Sequence, residues 1–257
     1  MKAIEHATAI KDAYSAGVLN QALQGARSTE ERLPFTVRVV RSDDALEKAV
    51  TIRHAAYARH VPAFAAKLGA PEPFDYEAGS AVLLAESRMD GSPLGTMRIQ
   101  TNRFKDLPIA QAVELPAWLK NKSMAEATRL GVALGHAGRV VKTTLFKSFF
   151  LYCREAGIEW MVIAARPPLD RQYEALMFDD LFPGQFIPMS HGNNIPHRVL
   201  AFEVGTAEER WAEARHPLFK FVFETRHPDI DLGDASFTSW TRPANVAEMP
   251  RRAASNA

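Results

Sequence analysis

The spacing of apolar positions changes several times along the chain and predicts an alternation of strands and helices. Two-residue alternation indicates a strand, and three-to-four-residue spacing indicates a helix. In the first half the predicted elements are a strand at 36–40, a helix capped by Ser42, a loop-rich stretch at 60–79, and strands at 80–86, 94–100 and 124–132. The turn Asp90-Gly91-Ser92-Pro93 predicts a hairpin between two of these strands.

The second half continues the alternation after a glycine-punctuated turn. Thr143 or Thr144 is a suitable cap for a helix that Gly157 ends. The further predicted elements are a strand at 159–164, a helix at 169–178, and strands at 185–188 and 198–204. This order predicts an α/β (α+β) domain over residues 35–205, in which a mixed sheet carries helices on both faces.

The two ends of the chain differ in character from this domain. Residues 1–34 are rich in alanine and carry a broken apolar stripe, which predicts a peripheral helical arm. Residues 206–257 are predicted to form a C-terminal extension, with a helix begun by the capping-box pattern Thr206-x-x-Glu209 and a loosely packed tail beyond Pro228. Three phenylalanines of this extension have an open role, as core packing, as a cover for a binding tunnel or as a dimer contact: Phe219, Phe221 and Phe223.

Composition narrows the class of protein. The chain has 257 residues, of which 47% are hydrophobic, so it can bury a substantial core. Its 31 Lys and Arg nearly balance its 30 Asp and Glu, and we therefore expect no nucleic-acid partner. One cysteine, Cys153, excludes an intrachain disulfide. With no apolar run near the roughly 18–20 residues of a membrane span, a cytoplasmic protein is expected.

Common catalytic motifs are missing. The chain has no phosphate-binding loop, no dinucleotide-binding fingerprint, no zincin motif and no hydrolase elbow. Its eight histidines show no ligand spacing. His191 and His197 flank a turn-like segment and are interpreted as loop histidines, so we expect no metal site.

Charged residues inside predicted strands are the strongest functional signal. Arg98, Glu126 and Arg129 lie in segments that should be half buried, where an unpaired charge costs several kcal/mol. They therefore need partners or a solvated cleft. Strict alternation places Glu126 and Thr128 on one face and Arg129 on the other, unless a bulge intervenes. A structural ion pair and a catalytic role both fit this pattern.

Together these segments resemble a known enzyme family. Gly95-x-x-Arg98 on the second hairpin strand and Glu126-x-Thr128-Arg129 on the next strand resemble the N-acyl amino acid synthases and the related acyl-homoserine-lactone synthases. Both belong to the GNAT acyltransferase superfamily, which implies a mostly antiparallel central sheet. The resemblance also implies substrate-binding roles for four residues: Arg53, Tyr57, Asp75 and Thr128.

The resemblance implies direct transfer of a fatty acyl group from an acyl carrier protein thioester to the amino group of an amino acid or a similar amine. Glu126 is the expected base, and Arg98 or Arg129 either binds the acceptor carboxylate or orients Glu126. Tyr173 is the expected acid for the leaving thiol, or else an aromatic on the core edge. Phe146 and Phe149 are expected to line an acyl tunnel or to belong to the core.

The identity of the thioester donor depends on the start of the predicted helix. GNAT acetyltransferases hold the coenzyme A pyrophosphate on a glycine-containing turn at a helix N-terminus. The corresponding stretch here, 139–144, has no glycine, but Arg139, Lys142 and Thr143 offer a site for a single phosphate. This favours phosphopantetheine on an acyl carrier protein over coenzyme A, with no tightly bound cofactor.

The sequence leaves three other functions open. An acyl-homoserine-lactone synthase is the nearest enzyme alternative, and an acetyl-coenzyme A acetyltransferase is a more distant one. A catalytically silent GNAT-like module that binds an acyl group or a carrier protein is the alternative outside the enzymes. Product analysis of the wild type and of Glu126→Ala distinguishes among them.

Overall fold

The computed structural model describes residues 29–233, and a nine-stranded sheet runs through them. Residues 29–233 contain eleven strands, and all but β1 and β10 belong to this sheet. The strands are β1 (Thr29–Glu30), β2 (Phe35–Val39), β3 (Ser80–Ser87), β4 (Pro93–Thr101), β5 (Met124–Val132), β6 (Trp160–Ala165), β7 (Asp179–Asp180), β8 (Ile187–Met189), β9 (Ile195–Glu203), β10 (Thr225–Arg226) and β11 (Ile230–Asp231). The sheet order is β11-β2-β3-β4-β5-β6-β9-β7, with β8 beside β9. Only β11–β2 and β5–β6 pair in parallel within it.

Helices cover both faces of this sheet, as predicted. They are α1 (Asp43–Ala58), α2 (Pro62–Ala65), α3 (Gly135–Glu155), α4 (Leu169–Ala175) and α5 (Ala207–Glu213). On one face α1 packs Leu46 and Val50 against Val82 and Leu84 of β3. The opposite face packs against α3 and forms the largest core cluster. The α/β fold class with a mostly antiparallel sheet is thus confirmed, and no helix among residues 29–233 is long and apolar enough to span a membrane.

The start of α3 differs from the prediction. The helix begins at Gly135, eight residues before Thr143, and its N-cap residue Leu134 makes no side-chain cap. Without a capping side chain, the true start carries no sequence signal of the usual kind. The hydroxyls of Thr143 and Thr144 instead donate to carbonyls four residues back in the helix, at 3.2 and 3.0 Å.

Gly138 sits where the first turn of α3 touches the end of β5. A Cβ on this residue would lie 1.8 Å from the carbonyl oxygen of Ala133. The backbone approach therefore requires glycine.

The C-terminal extension is an integral part of the fold up to residue 233. The helix α5 follows Thr206 as predicted, although the Thr206 hydroxyl donates to Glu203 at 2.8 Å instead of capping the helix. Trp211 of α5 is fully buried and stacks on Phe146 with 5.8 Å between ring centroids. Phe223 meets Phe150 at 5.2 Å. Of the three roles left open for the phenylalanines, the structure shows core packing.

The segments at both ends of the described chain form strands: β11 joins the large sheet, and β1 and β10 form a separate two-stranded sheet. The strand β11 lies beside β2, so the tail just beyond Pro228 is ordered and the predicted loose packing is wrong for residues 230–232. The strand β1 pairs with β10, and Asp229 accepts the Leu33 N–H at 2.8 Å. The predicted helical arm lies mostly outside the described residues, and its last part, from residue 29, is extended.

Smaller differences concern element ends and one side chain. The helix α4 ends at Ala175, and β9 begins at Ile195, so His197 belongs to a strand and not to a loop. Cys153 is buried in the main core, where burial raises the pKa of its thiol. It is a packing residue.

Candidate active site

A cleft opens where β5 and β6 part. The two parallel strands pair from Met124 and Trp160 to Ala127 and Ile163, and no pairing continues beyond that point. A cavity of about 390 Å³ occupies the gap. It is lined by residues from both sides of the sheet, including Tyr57 of α1, Thr128 and Arg129 of β5, Lys142 of α3 and Tyr173 of α4.

A β-bulge determines which side chains of β5 share a face. Arg98 of β4 pairs with Thr128, whereas Thr96 pairs with Gly131, so β5 holds one extra residue between these pairs. Arg129 lies in this bulge with φ of 57°. Because of the bulge, the Arg129 side chain lies on the same face of β5 as Thr128, whereas strict alternation would place it on the opposite face.

Three arginines and two carboxylates form a buried network beside the cleft. Asp75 receives two hydrogen bonds of 2.9 Å from Arg53, and Arg129 donates to Glu72 through Nε and Nη2, both at 2.7 Å. Arg98 bridges Glu72 and Asp75 at 3.1 Å each. Burial alone raises the pKa of both carboxyls, but the arginines outweigh it and hold both pKa values below the ordinary range.

Glu72 is a central residue of this network that sequence analysis missed. It lies three residues before Asp75, and the Asp75 carboxylate accepts the Glu72 N–H at 2.8 Å. The sequence signal that could have identified Glu72 is this spacing of two acidic residues, three positions apart with Pro73 between them. Glu72 occupies the Nε and Nη2 edge of Arg129, so the bidentate binding of an acceptor carboxylate predicted for Arg129 has a competitor within the chain.

Glu126 is fully buried and does not line the cleft. Its Oε2 accepts the Ile109 N–H at 2.9 Å, and its Oε1 has no hydrogen-bond partner among the described residues. Burial raises the pKa of Glu126 to about 7, although Arg98 and Arg129 oppose the shift. Neither arginine hydrogen-bonds Glu126, so the predicted orienting contact is not formed.

His191 is a second residue whose position sequence analysis missed. It lies on the turn Ser190–Gly192 and lines the cleft, and its Nε2 is 3.5 Å from Oε1 of Glu126. Arg129 donates to the His191 carbonyl at 3.0 Å and so fixes the turn. Burial lowers the pKa of His191 to about 4. The local sequence indicates only a loop histidine, because the fold alone brings this turn to β5.

The structure divides the predicted site residues into two groups. Those that line the cleft are Tyr57, Thr128, Arg129, Lys142 and Tyr173. Those that do not are Arg53, Asp75 and Arg98 in the ion network, Glu126 behind His191, Phe146 and Phe149 in the core, and Arg139 and Thr143 along α3. Burial raises the pKa of Tyr173, so its phenol stays protonated at neutral pH.

Comparison with known proteins identifies the family. A profile of the N-acyl amino acid synthase FeeM family matches residues 48–192, more than half of the chain. The protein belongs to this family. No curated protein matches the sequence.

Two solved structures share the fold of this FeeM-family chain. FeeM itself, an N-acyl amino acid synthase from uncultured soil microbes, is 20% identical with a TM-score of 0.57, over 70% of this chain and 96% of that one. BjaI, a CoA-dependent acyl-homoserine lactone synthase solved with MTA, is 13% identical with a TM-score of 0.51, over 79% and 97%. The GNAT-like acyltransferase fold expected from the sequence is thereby confirmed.

The true start of α3 changes which features of the helix bear on the thioester donor. In this FeeM-family protein the first turn of α3 contains Gly135 and Gly138, so the absence of glycine that favoured a carrier protein over coenzyme A no longer holds. Arg139 and Thr143 lie one and two turns inside the helix. Lys142 reaches the cleft, where its Nζ donates to Gln172.

The cleft carries basic but no acidic side chains. Its lining residues include no Asp or Glu, but they include Arg59, Arg129, Lys142 and Arg166. Arg166 makes no side-chain hydrogen bond or ion pair within residues 29–233. No group of three His, Cys, Asp or Glu residues in that range is placed to hold a metal ion.

Proposed function

We propose that this protein transfers a fatty acyl group from a phosphopantetheine thioester directly to the amino group of an amino acid or a similar amine bearing a carboxylate. The observation that carries the proposal is a cleft at the β5–β6 gap that is rich in cations and lined by no carboxylate. Such a site attracts an anionic acceptor and disfavours a polyamine.

Arg166 is the residue we assign to the acceptor carboxylate. The other arginines near the gap are engaged. Glu72 holds Arg129, and the Arg98 side chain is only 1% exposed. The Arg59 guanidinium donates to the backbone carbonyls of Ala55 and Val132. Arg166 lines the cleft with its guanidinium unpaired, and a guanidinium binds a carboxylate through two parallel hydrogen bonds. This assignment replaces the role expected for Arg129 or Arg98.

The chemistry needs an amine nucleophile, a donor to the oxyanion and an acid for the thiolate. The amine nitrogen attacks the thioester carbonyl, a C–N bond forms and the C–S bond breaks. Beyond Ala127 the side of β5 towards β6 lacks a strand partner, so we assign oxyanion stabilisation to a backbone N–H there. Tyr173 lines the cleft in its protonated form and is the proposed donor to the leaving sulfur.

The donor is proposed as an acyl carrier protein, with coenzyme A as the alternative that presents the same phosphopantetheine arm. The uncapped first turn of α3 leaves backbone N–H groups that favour a phosphate, and Lys142 lies on the cleft side of the same helix. These features support a phosphopantetheine donor without distinguishing its two carriers.

The test is product analysis followed by reconstitution. Lipid extracts of bacterial cells that express the wild type are compared by mass spectrometry with extracts of cells that express Glu126→Ala or the surface control Glu77→Ala. We expect an N-acyl amino acid that only Glu126→Ala loses. Purified protein is then assayed with acyl carrier protein and coenzyme A thioesters of the same chain.

A substitution in the cleft and a matched control outside it test the binding of the acceptor. Arg166→Gln should raise KM for the acceptor by at least about tenfold, equivalent to one lost charged hydrogen bond. Arg171→Gln, an exposed arginine outside the cleft, should leave KM within about twofold. An acyl lactone as product, or no acylated amine with either donor, would contradict the proposal.

A further inference from the structure

The base of this reaction has to be a group that the acceptor amine can reach. Glu126 is 0% exposed and absent from the cleft lining. His191 lines the cleft, but its Nδ1 is buried and its Nε2 faces Glu126, with 3.5 Å between Nε2 and Oε1. Two other histidines line the cleft. His60 is exposed beyond the end of α1 and its ring makes no hydrogen bond among the described residues, whereas a backbone contact fixes the ring of His197.

We propose that His197 is the general base, with its Nε2 taking the proton that the attacking amine releases while Arg166 beside it holds the acceptor carboxylate. The proposal rests on the acyltransfer function proposed above and names the base of that reaction. His197 is then a catalytic residue. Glu126 stays behind His191, where it accepts the Ile109 N–H, and the loss of product in Glu126→Ala reflects the lost support of this wall.

One contact along β9 determines which ring nitrogen of His197 carries the proton. Nδ1 lies 2.6 Å from the backbone carbonyl oxygen of Ile195. A carbonyl oxygen only accepts hydrogen bonds, so Nδ1 is the protonated nitrogen, and Nε2 of the neutral ring keeps a lone pair. The ring is thereby prepared to accept a proton at Nε2.

Nε2 of His197 is open to the cavity. It has no hydrogen-bond partner among residues 29–233, yet it is not one of the fully buried unpaired atoms there, unlike Nδ1 of His191. The same edge of the ring lies beside Gly192, another cleft residue. A Cβ on Gly192 would lie 3.2 Å from Cε1 and 3.8 Å from Nε2 of His197. The absence of a side chain at Gly192 therefore leaves space in the cleft at this edge.

The strand register places Arg166 beside His197. The strands β6 and β9 are antiparallel with Ala165 opposite Arg198, so the next pair in this register is Arg166 and His197. Opposite residues of an antiparallel pair share a face, with about 4.5–5.5 Å between their Cβ atoms. An acceptor whose carboxylate lies on Arg166 therefore holds an amine on the adjoining carbon close to His197.

The groups that face the His197 ring keep it neutral. Burial and the Arg166 cation lower the pKa of His197, although the hydrogen bond from Nδ1 to the backbone opposes them. His191, on the turn before β9, is a titratable neighbour, and burial lowers its own pKa to about 4. Arg198 lies on the opposite face of β9, where two carboxylates hold it. The His197 imidazole is thus neutral at pH 7, which is the form that accepts a proton.

The acceptor itself increases the basicity of His197. A carboxylate bound to Arg166 neutralises the cation that opposes a charged imidazole, and so it raises the pKa of His197. The base is therefore weak in the empty cleft and stronger when the acceptor is in place.

The step conserves protons. The acceptor binds as a neutral amine after its ammonium proton has gone to solvent. As the C–N bond forms, the nitrogen gives one proton to Nε2 of His197, and the C–S bond breaks. The expelled thiolate takes a proton from Tyr173, and the imidazolium returns its proton to that phenolate through solvent.

The first test uses nuclear magnetic resonance without any substrate. The His197 ring of the wild type should titrate below pH 6.5 and carry its proton on Nδ1 when neutral. Arg166→Gln should raise the midpoint by at least about half a pH unit, because the cation beside the ring is gone. The signals of the exposed His54 should be the same in both proteins. An unchanged His197 midpoint in Arg166→Gln, or a neutral ring with its proton on Nε2, would overturn the proposal.

The second test is kinetic. His197→Gln should lower kcat by at least about 100-fold, with KM for the acceptor changed by less than about threefold, because the imidazole handles a proton and Arg166 binds the carboxylate. Added imidazole should restore part of the rate of His197→Ala, which a purely structural role does not predict. His54→Gln is the matched control and should stay within about twofold of the wild type.

The pH profile gives a further readout of the base. The wild-type rate should fall as pH falls through the pKa of His197, because a protonated imidazole accepts no proton. His197→Gln should lack this fall at the same midpoint. A variant that keeps it would show that another group is the base.

The outcomes separate the base from the proposed function. A wild type that forms the N-acyl product while His197→Gln keeps full kcat overturns the assignment of the base alone. A wild type that forms no acylated amine overturns the proposed function and the base with it, whereas the resonance titration still decides whether Arg166 and His197 form a pair.

Discussion

The buried carboxyl of Glu126 predicts a specific pH dependence of stability that requires no substrate. Glu126→Gln keeps the size of the side chain and an oxygen for the Ile109 N–H, which Oε2 now accepts at 2.9 Å, but it cannot ionise. The wild type and the variant should therefore differ in stability by an amount that changes with pH.

The sign and size follow from the two pKa values of Glu126. Its pKa is about 7 in the folded protein and 4.5 when unperturbed. Between these values the unfolded chain releases a proton that the folded protein keeps, so stability from Glu126 is complete below pH 4.5 and is lost as pH rises through 7. At about 1.4 kcal/mol per pKa unit, the loss amounts to about 3 kcal/mol.

His191 acts in the opposite direction. Its pKa falls from 6.5 to about 4 on folding, so its contribution to stability is lost as pH falls through that range. The two groups oppose each other in the wild type, and the informative quantity is the difference between the wild type and Glu126→Gln.

Urea unfolding at half-unit steps from pH 4.5 to 8, followed by tryptophan fluorescence, measures this difference. The buried Trp211 reports on the core. We expect the free energy of unfolding of the wild type to fall by about 3 kcal/mol relative to Glu126→Gln across this range. A difference that stays constant within about 0.5 kcal/mol would refute the buried, proton-retaining carboxyl.

Three further substitutions test the network, the start of α3 and the C-terminal extension, each by urea unfolding at pH 7. Glu72→Gln should lower the free energy of unfolding by about 3 kcal/mol, because the buried arginines lose their anion. The control Glu77→Gln, at a partly exposed ion pair, should lower it by under about 1 kcal/mol. Equal losses for the two variants would contradict the role of Glu72 in the buried network. Gly138→Ala should cost more than about 2 kcal/mol, since its Cβ would meet a carbonyl oxygen at 1.8 Å, whereas Gly205→Ala meets nothing within 4 Å and should change little. Trp211→Ala should cost about 3–5 kcal/mol, and a loss below about 1 kcal/mol would show that the extension is dispensable.

The sequence predicted the parts of the fold that local chemistry determines. The Asp90-Gly91-Ser92-Pro93 turn gave the hairpin of β3 and β4, because turn residues act over a few positions. Arg98, Glu126 and Arg129 indicated the site for the same reason: charges inside strands need partners wherever the strands lie. The structure places all three in one buried region.

The parts that were missed depend on contacts between distant segments. Alternation could not place Arg129, because the bulge that redirects it exists only in the pairing with β4. Glu72 and His191 lie in loops whose destinations local patterns do not encode. The start of α3 was missed because Leu134 offers no cap.

The pairing of both ends of the described chain has a consequence for folding during synthesis. Thr29 lies beside Thr225, 196 residues later, and β2 gains its outer neighbour only from residues 230–231. Until those residues leave the ribosome, β2 presents an uncovered row of N–H and C=O groups to its surroundings. Contacts between residues so distant in sequence form late in folding, because bringing the two segments together costs much conformational entropy. The nascent chain is therefore most vulnerable to wrong association in the interval before its last described strand is made.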